Sequence, residues 1–147
     1  MPVSTPAPTG IAAAIALLAL GLGCFSGCAG HHHGRTGGPL RCEPFIRELP
    51  VGGGYVRLLE EGQSVVMRSG LVTLQPGENC GWHSTEDYEE LIICLAGAGE
   101  VETDSGGRRL IRANHYAYNP PHTRHNVYNT GTEPLRYIYV VAPTRTE

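Results

Sequence analysis

The chain has no lysine: its 11 basic side chains are all arginines, outnumbered by 14 acidic residues for a net charge of −3. Lysine Schiff-base and lysine-nucleophile chemistry are therefore excluded. The arginines are spread along the sequence, so no basic stripe exists for a phosphate backbone, and a nucleic-acid partner is excluded with it. No internal repeat is present. Beyond an apolar run near the amino terminus, no segment carries a 3.6-residue hydrophobic period, which argues against a helical domain.

What the chain does have is turns. Its 147 residues include 20 glycines, consistent with one globular domain with many reversals of direction. The first forty residues read as targeting sequence. Ile11 to Gly23 is a continuous apolar run of signal-peptide length, too short to span a bilayer comfortably, although the usual positive flank is missing. Phe25-Ser26-Gly27-Cys28 resembles a bacterial lipoprotein cleavage box, with Leu22-Gly23-Cys24 as a second candidate. Residues 1–28 are thus expected to be an export signal with lipidation at Cys28, placing the protein outside the cytoplasm and on a membrane only through that anchor. Residues 29–40, rich in Gly and His, read as a flexible tether in which His31, His32 and His33 are a solvated spacer.

The folded domain is expected over 41–147. From Tyr55 onward nine short runs are separated by Gly, Pro and Asn: 55–59, 64–74, 81–85, 89–95, 100–104, 108–112, 115–118, 125–129 and 134–141. Strands of this length with tight connections predict an all-β antiparallel sandwich or barrel. Two stretches within it carry polar chemistry. The first runs from Gly77 to Gly97; with period-two alternation, His83 and Thr85 share one strand face, and Glu90, Ile92 and Cys94 share another. Two antiparallel strands would bring His83 against Glu90 in an apolar interior, a metal-site signature. The second runs from Tyr118 to Asn129, where Pro120-Pro121 forces an extended loop before a strand that presents His125, Val127 and Asn129 on one face. His125 is the natural third ligand.

Together these stretches resemble the two motifs of the cupin superfamily. Gly77, His83, Glu90 and Gly97 fall on the spacing of the first motif, with Thr85 in place of its second histidine. Pro120, His125 and Asn129 match the second, with Asn114 and His122 in place of two glycines. The resemblance implies a cupin jelly-roll β-barrel, an antiparallel double sheet, commonly a homodimer, with a divalent metal held by His83, Glu90 and His125. Two imidazoles and one carboxylate suit Zn, Ni, Mn or Fe. Thr85, His122 and Cys94 are further candidates for the metal or its pocket; for His122 the bland alternative is a solvent-facing loop residue, and for Cys94 a small buried hydrophobe.

The expected function is an exported small metal-binding cupin that binds or transforms a small oxygen-rich metabolite, a sugar or keto acid. The alternatives are a non-catalytic ligand- or metal-binding module at the cell surface, and a sugar isomerase-like or Fe(II) dioxygenase-like enzyme. The chain is similar to cupins labelled mannose-6-phosphate isomerase-like, but phosphosugars are cytoplasmic, and no Arg cluster stands ready in the sequence for a phosphate. Of the tyrosines, one or two among Tyr116, Tyr118, Tyr128, Tyr137 and Tyr139 are expected to line the cavity. Cys42 and Cys80 are candidates for a disulfide in an exported protein.

Overall fold

Alternation of apolar and polar residues between turn-forming segments produces nine strands and no helix among the residues that the computed structural model describes, 42–144. The expected export signal, the His-rich tether, Cys24 and Cys28 lie outside the described residues. The strands are β1 (Gly54–Arg57), β2 (Arg68–Leu74), β3 (His83–Ser84), β4 (Tyr88–Ala96), β5 (Ala98–Thr103), β6 (Gly107–Arg112), β7 (Tyr116–Asn119), β8 (Arg124–Tyr128) and β9 (Leu135–Pro143). They form a five-stranded sheet in the order β1-β2-β9-β4-β7 and a four-stranded sheet in the order β3-β8-β5-β6, with antiparallel pairing throughout. This is the expected all-β double sheet of a cupin jelly roll.

The core lies between the inner faces. Val72 and Leu74 of β2, Ile92 and Cys94 of β4, Leu135, Tyr137 and Tyr139 of β9, Val101, Ile111 and Val127 are all buried in one cluster. Burial alternates along β4 as period two demands: Glu90, Ile92 and Cys94 point inward, while Glu89 and Leu91 are exposed. Tyr137 and Tyr139 are inner residues, whereas Tyr116 and Tyr118 lie on the outer face, 76% and 55% exposed.

Two departures from the sequence reading stand out. The run 64–74 is strand only from Arg68. Val65, Val66 and Met67 are exposed, and Ser64 Oγ accepts the Met67 N–H at 3.0 Å, closing a turn where an extended strand was expected. Second, His83 and Glu90 are not on paired strands. The turn at Thr85–Tyr88, closed by Tyr88 N–H to Thr85 O at 2.9 Å with Glu86 at φ 48°, carries the chain from one sheet to the other, so the two residues meet across the interior.

The turns that bracket the two motifs need left-handed backbone. Gly97 has φ 76°, and a Cβ there would run into the Pro134 carbonyl. Asn114 and His122, standing where the family pattern has glycine, keep positive φ at 66° and 57°. Asparagine tolerates this conformation better than most residues, and histidine follows it among the non-glycine types.

Candidate metal centre

Three side chains from three strands converge in the barrel. His83 sits on β3 and His125 opposite it on β8 as a register pair, their ring centroids 4.2 Å apart. Glu90 reaches them from β4 in the other sheet. One ligand atom from each of the three lies within 4.8 Å of the others. Glu90 and His125 are buried and His83 is half-buried.

The donor atoms are oriented from behind. His83 Nδ1 lies 2.9 Å from the Gly81 carbonyl and His125 Nδ1 3.3 Å from the Thr123 carbonyl. A carbonyl only accepts, so each Nδ1 carries the proton and each Nε2 is left with its lone pair, the form that binds a metal. Asn119, the register partner of Glu90 on β7, donates its amide to Glu90 Oε2 at 2.9 Å. Sequence reasoning did not single out Asn119. Its role becomes readable only when β7 is known to pair with β4.

His125 Nε2 is the informative atom. It lies 2.8 Å from Glu90 Oε2, yet it is buried without a well-formed hydrogen bond. With the ring neutral and its proton on Nδ1, the Nε2 lone pair faces a carboxylate oxygen, so the carboxylate satisfies this nitrogen only when the ring is protonated. A buried nitrogen left this way costs on the order of 1–3 kcal/mol, and a cation shared by the three donors removes that cost. The residues present therefore fit a divalent metal.

Electrostatics within the cluster are coupled. Burial pushes the Glu90 carboxyl up, but the His125 imidazole and the Asn119 amide outweigh it and hold the pKa below its ordinary value. Burial lowers His125, and the Glu90 carboxylate more than offsets this, so its pKa is raised. His83, desolvated and facing a second imidazole, is lowered and stays neutral.

The other candidates lie elsewhere. Thr85 is buried, but its hydroxyl donates to the Pro120 carbonyl at 2.8 Å and accepts from Thr123 N–H at 2.9 Å, so it laces the two motif loops together. His122 has an exposed ring 3.5 Å from Asp87, away from the cluster. Cys94 lies on the inner face two residues beyond Ile92 with its thiol directed at the Ala96 carbonyl. Asn129 holds the Leu74 and Glu133 carbonyls with its amide, at 2.8 and 2.9 Å, which is a structural duty. Cys42, Cys80 and Cys94 are free thiols. The Cys42–Cys80 pairing is not formed because Cys80 turns into the core, where it donates to Asn126 Oδ1 at 3.3 Å and burial pushes its pKa up to about 11. Glu89 points outward and accepts the Tyr118 hydroxyl at 3.1 Å. Arg124 faces away from the cluster, over the Trp82 ring at 5.1 Å.

Residues 70–141 match the family model Cupin_2, described as a cupin domain. Solved structures of the same fold include a Cupin 2 conserved barrel domain protein from Salinispora arenicola, 27% identical with a TM-score of 0.55, covering 61% of this chain and 75% of that one. A predicted oxalate decarboxylase from Thermotoga maritima is 25% identical with a TM-score of 0.57, covering 61% and 79%. The cupin domain of Schizosaccharomyces pombe Cnp3 shares the fold at 18% identity and a TM-score of 0.56, over 61% of this chain and 64% of its own length. No curated protein matches the sequence.

Proposed function

Because residues 70–141 match a cupin domain and His83, Glu90 and His125 converge inside the barrel, we propose that the chain is an exported small-molecule cupin whose ligand binds at a divalent metal held by those residues. The observation that carries this reading is the buried, unsatisfied His125 Nε2 beside the Glu90 carboxylate. A metal held by three protein donors has open positions and supplies Lewis acidity toward an oxygen ligand. The chain's own contribution is to fix both imidazole tautomers through Gly81 and Thr123, to orient Glu90 through Asn119, and to exclude water with the apolar layer beneath. Two His and one Glu suit Zn, Ni, Mn or Fe. The ligand is a small oxygen-rich metabolite, a sugar or keto acid.

The non-catalytic binding module is the second reading, and a specific observation favours it. Glu89 and Glu86, the carboxylates beside the first motif, are exposed, and Glu89 is engaged by Tyr118 on the outer surface. Neither is poised as a general base inside the barrel. Turnover of a sugar and keto-acid panel by metal-loaded protein decides for an enzyme, and saturable binding without product decides for the module. The mannose-6-phosphate isomerase-like and Fe(II) dioxygenase-like readings are variants of the first outcome.

Two further elements complete the proposal. The chain is anchored outside the cytoplasm through Cys28, and it forms a homodimer through the outer face of the five-stranded sheet, where Leu91, Tyr116 and Tyr118 are exposed. The metal is tested by chelation. Protein shown beforehand to carry metal loses that linkage when stripped, about 2.7 kcal/mol at a hundredfold excess of free metal over the dissociation constant. An unchanged Tm after stripping overturns the centre.

A further inference from the structure

His83 reaches the cluster because the chain in front of it carries one residue more than a regular ladder would. Residues 78–80 run antiparallel to the end of β8: Asn129 N–H donates to the Glu78 carbonyl at 2.9 Å, Asn79 bridges to Tyr128, and Cys80 N–H donates to the Val127 carbonyl at 3.0 Å. Three residues further on, His83 is the partner of His125. Gly81 and Trp82 therefore stand opposite a single residue, Asn126, which makes a one-residue β-bulge. Gly81 takes the left-handed φ, 84°, that such a bulge asks of its first residue. Without the extra residue Trp82 would be the partner of His125, and His83 would leave the strand on the other face.

Side chains clamp the bulge. The Asn79 side-chain oxygen accepts two donors, Gly81 N–H at 3.0 Å and the Asn126 amide at 3.2 Å. Asn126 is buried, and its own oxygen accepts the Cys80 thiol at 3.3 Å. The Cys80 sulfur in turn accepts Val127 N–H at 3.2 Å, a bond that a regular ladder would give to the Cys80 carbonyl. Both backbone groups of Gly81 are thus engaged, its N–H by Asn79 and its carbonyl by His83 Nδ1 at 2.9 Å. Glycine is the residue least able to hold its own conformation, so the direction of the Gly81 carbonyl depends on what grips its N–H. Hydrogen bonds at 3.2, 3.0 and 2.9 Å run from Asn126, the neighbour of His125 on β8, to the His83 ring.

We propose that Asn79 and Asn126 are the positioning residues of His83: by clamping the Gly81 bulge they aim the imidazole at Glu90 and His125 and keep its proton on Nδ1, leaving Nε2 for a metal. Neither asparagine is among the converging donors. The inference rests on the proposed metal centre and names what tunes its affinity from outside. Losing an outer partner of a metal-binding histidine typically weakens metal affinity by about 10- to 100-fold.

The experiment compares the full chain as wild type, Asn79→Ala and Asn79→Asp. Zn2+ affinity is measured by competition with a chromophoric chelator. On the metal-free proteins, the side-chain nitrogen chemical shifts of His83 distinguish an Nδ1–H ring from an Nε2–H ring. Asn79 is only half-buried, and aspartate keeps the oxygen that both donors need. The expected result is Zn2+ affinity about 10- to 100-fold weaker in Asn79→Ala, with a mixture of His83 tautomers, and wild-type affinity with a single Nδ1–H tautomer in Asn79→Asp. An unchanged affinity or an unchanged tautomer in Asn79→Ala overturns the proposal whatever the Tm, since a merely structural asparagine would lower Tm alone. Asn79→Asp behaving like Asn79→Ala overturns it as well. So does an Nε2–H His83 in metal-free wild type, an arm that needs no variant. Should Asn79→Ala not fold, Asn79→Leu, which keeps the bulk without the oxygen, is read in the same way. If Zn2+ does not bind wild type, the metal centre fails on its own, and the tautomer comparison in metal-free protein still decides the clamp.

Discussion

Thr85 and Thr123 hold each other twice: Thr85 N–H donates to the Thr123 carbonyl at 3.1 Å, and Thr123 N–H donates to the Thr85 hydroxyl at 2.9 Å. The first motif is thereby tied to the loop that precedes His125, and the Thr123 carbonyl is also the group that sets the His125 tautomer. Thr85→Val keeps the shape but leaves Thr123 N–H and the Pro120 carbonyl without the hydroxyl. A loss of about 1–3 kcal/mol is expected, read as a fall in Tm, with metal stoichiometry retained. Loss of the metal with an unchanged Tm would instead make Thr85 a ligand.

Asn119 acts on Glu90 rather than on the metal. Asn119→Leu removes the amide that fixes Oε2, and a metal affinity weaker by about 10- to 100-fold is expected, the usual consequence of losing an outer partner of a ligand. Competition with a chromophoric chelator measures it. Affinity equal to wild type would mean that Glu90 is positioned without this contact.

Metal uptake should release a proton near neutral pH. His125 has a raised pKa, so part of the metal-free protein still carries the imidazolium just above the ordinary value of about 6.5, and a metal requires the bare Nε2. In the metal-free protein, the contribution of His125 is fully present below that ordinary value and fades as pH rises through the raised folded one. The lowered Glu90 contributes above about 4.3 and is lost as pH falls. The lowered His83 weakens the fold below about 6.5, because the unfolded chain takes its proton first. Binding enthalpies at about pH 6.5, measured in two non-coordinating buffers, should therefore differ according to the buffer's heat of ionisation. Identical enthalpies would contradict the protonated His125.

Gly97→Ala tests the turn after β4. It demands φ 76° of a residue with a Cβ and drives that atom into the Pro134 carbonyl, so a cost above about 2 kcal/mol is expected. Asn114→Gly relieves a side chain held at φ 66° and should leave the denaturation midpoint unchanged or slightly raised.

Most of the strands were legible because turn residues mark their ends and β4 alternates cleanly about Glu90, Ile92 and Cys94. The miss at Val65–Met67 is physical: an apolar run reads as strand by composition, but here it finds no ladder partner and folds into an exposed turn. Motif spacing made the members of the cluster legible, but not the arrangement that brings them together, since the crossover at Thr85–Tyr88 puts His83 and Glu90 on different sheets. Asn119 carried no local signal. Its place follows from register between strands distant in sequence, which no single stretch of the chain encodes.

The central claim is that Glu90, and not its neighbour, completes a metal centre with His83 and His125. Glu89 and Glu90 leave β4 on opposite faces, one exposed and bonded to Tyr118, the other buried against His125. An amide cannot supply the charge that a divalent ion needs. Metal content per chain, measured by elemental analysis of Glu90→Gln and Glu89→Gln after identical loading, should fall to background in the first and stay at the wild-type stoichiometry in the second. Metal retained in Glu90→Gln, or lost in Glu89→Gln alone, would contradict the account.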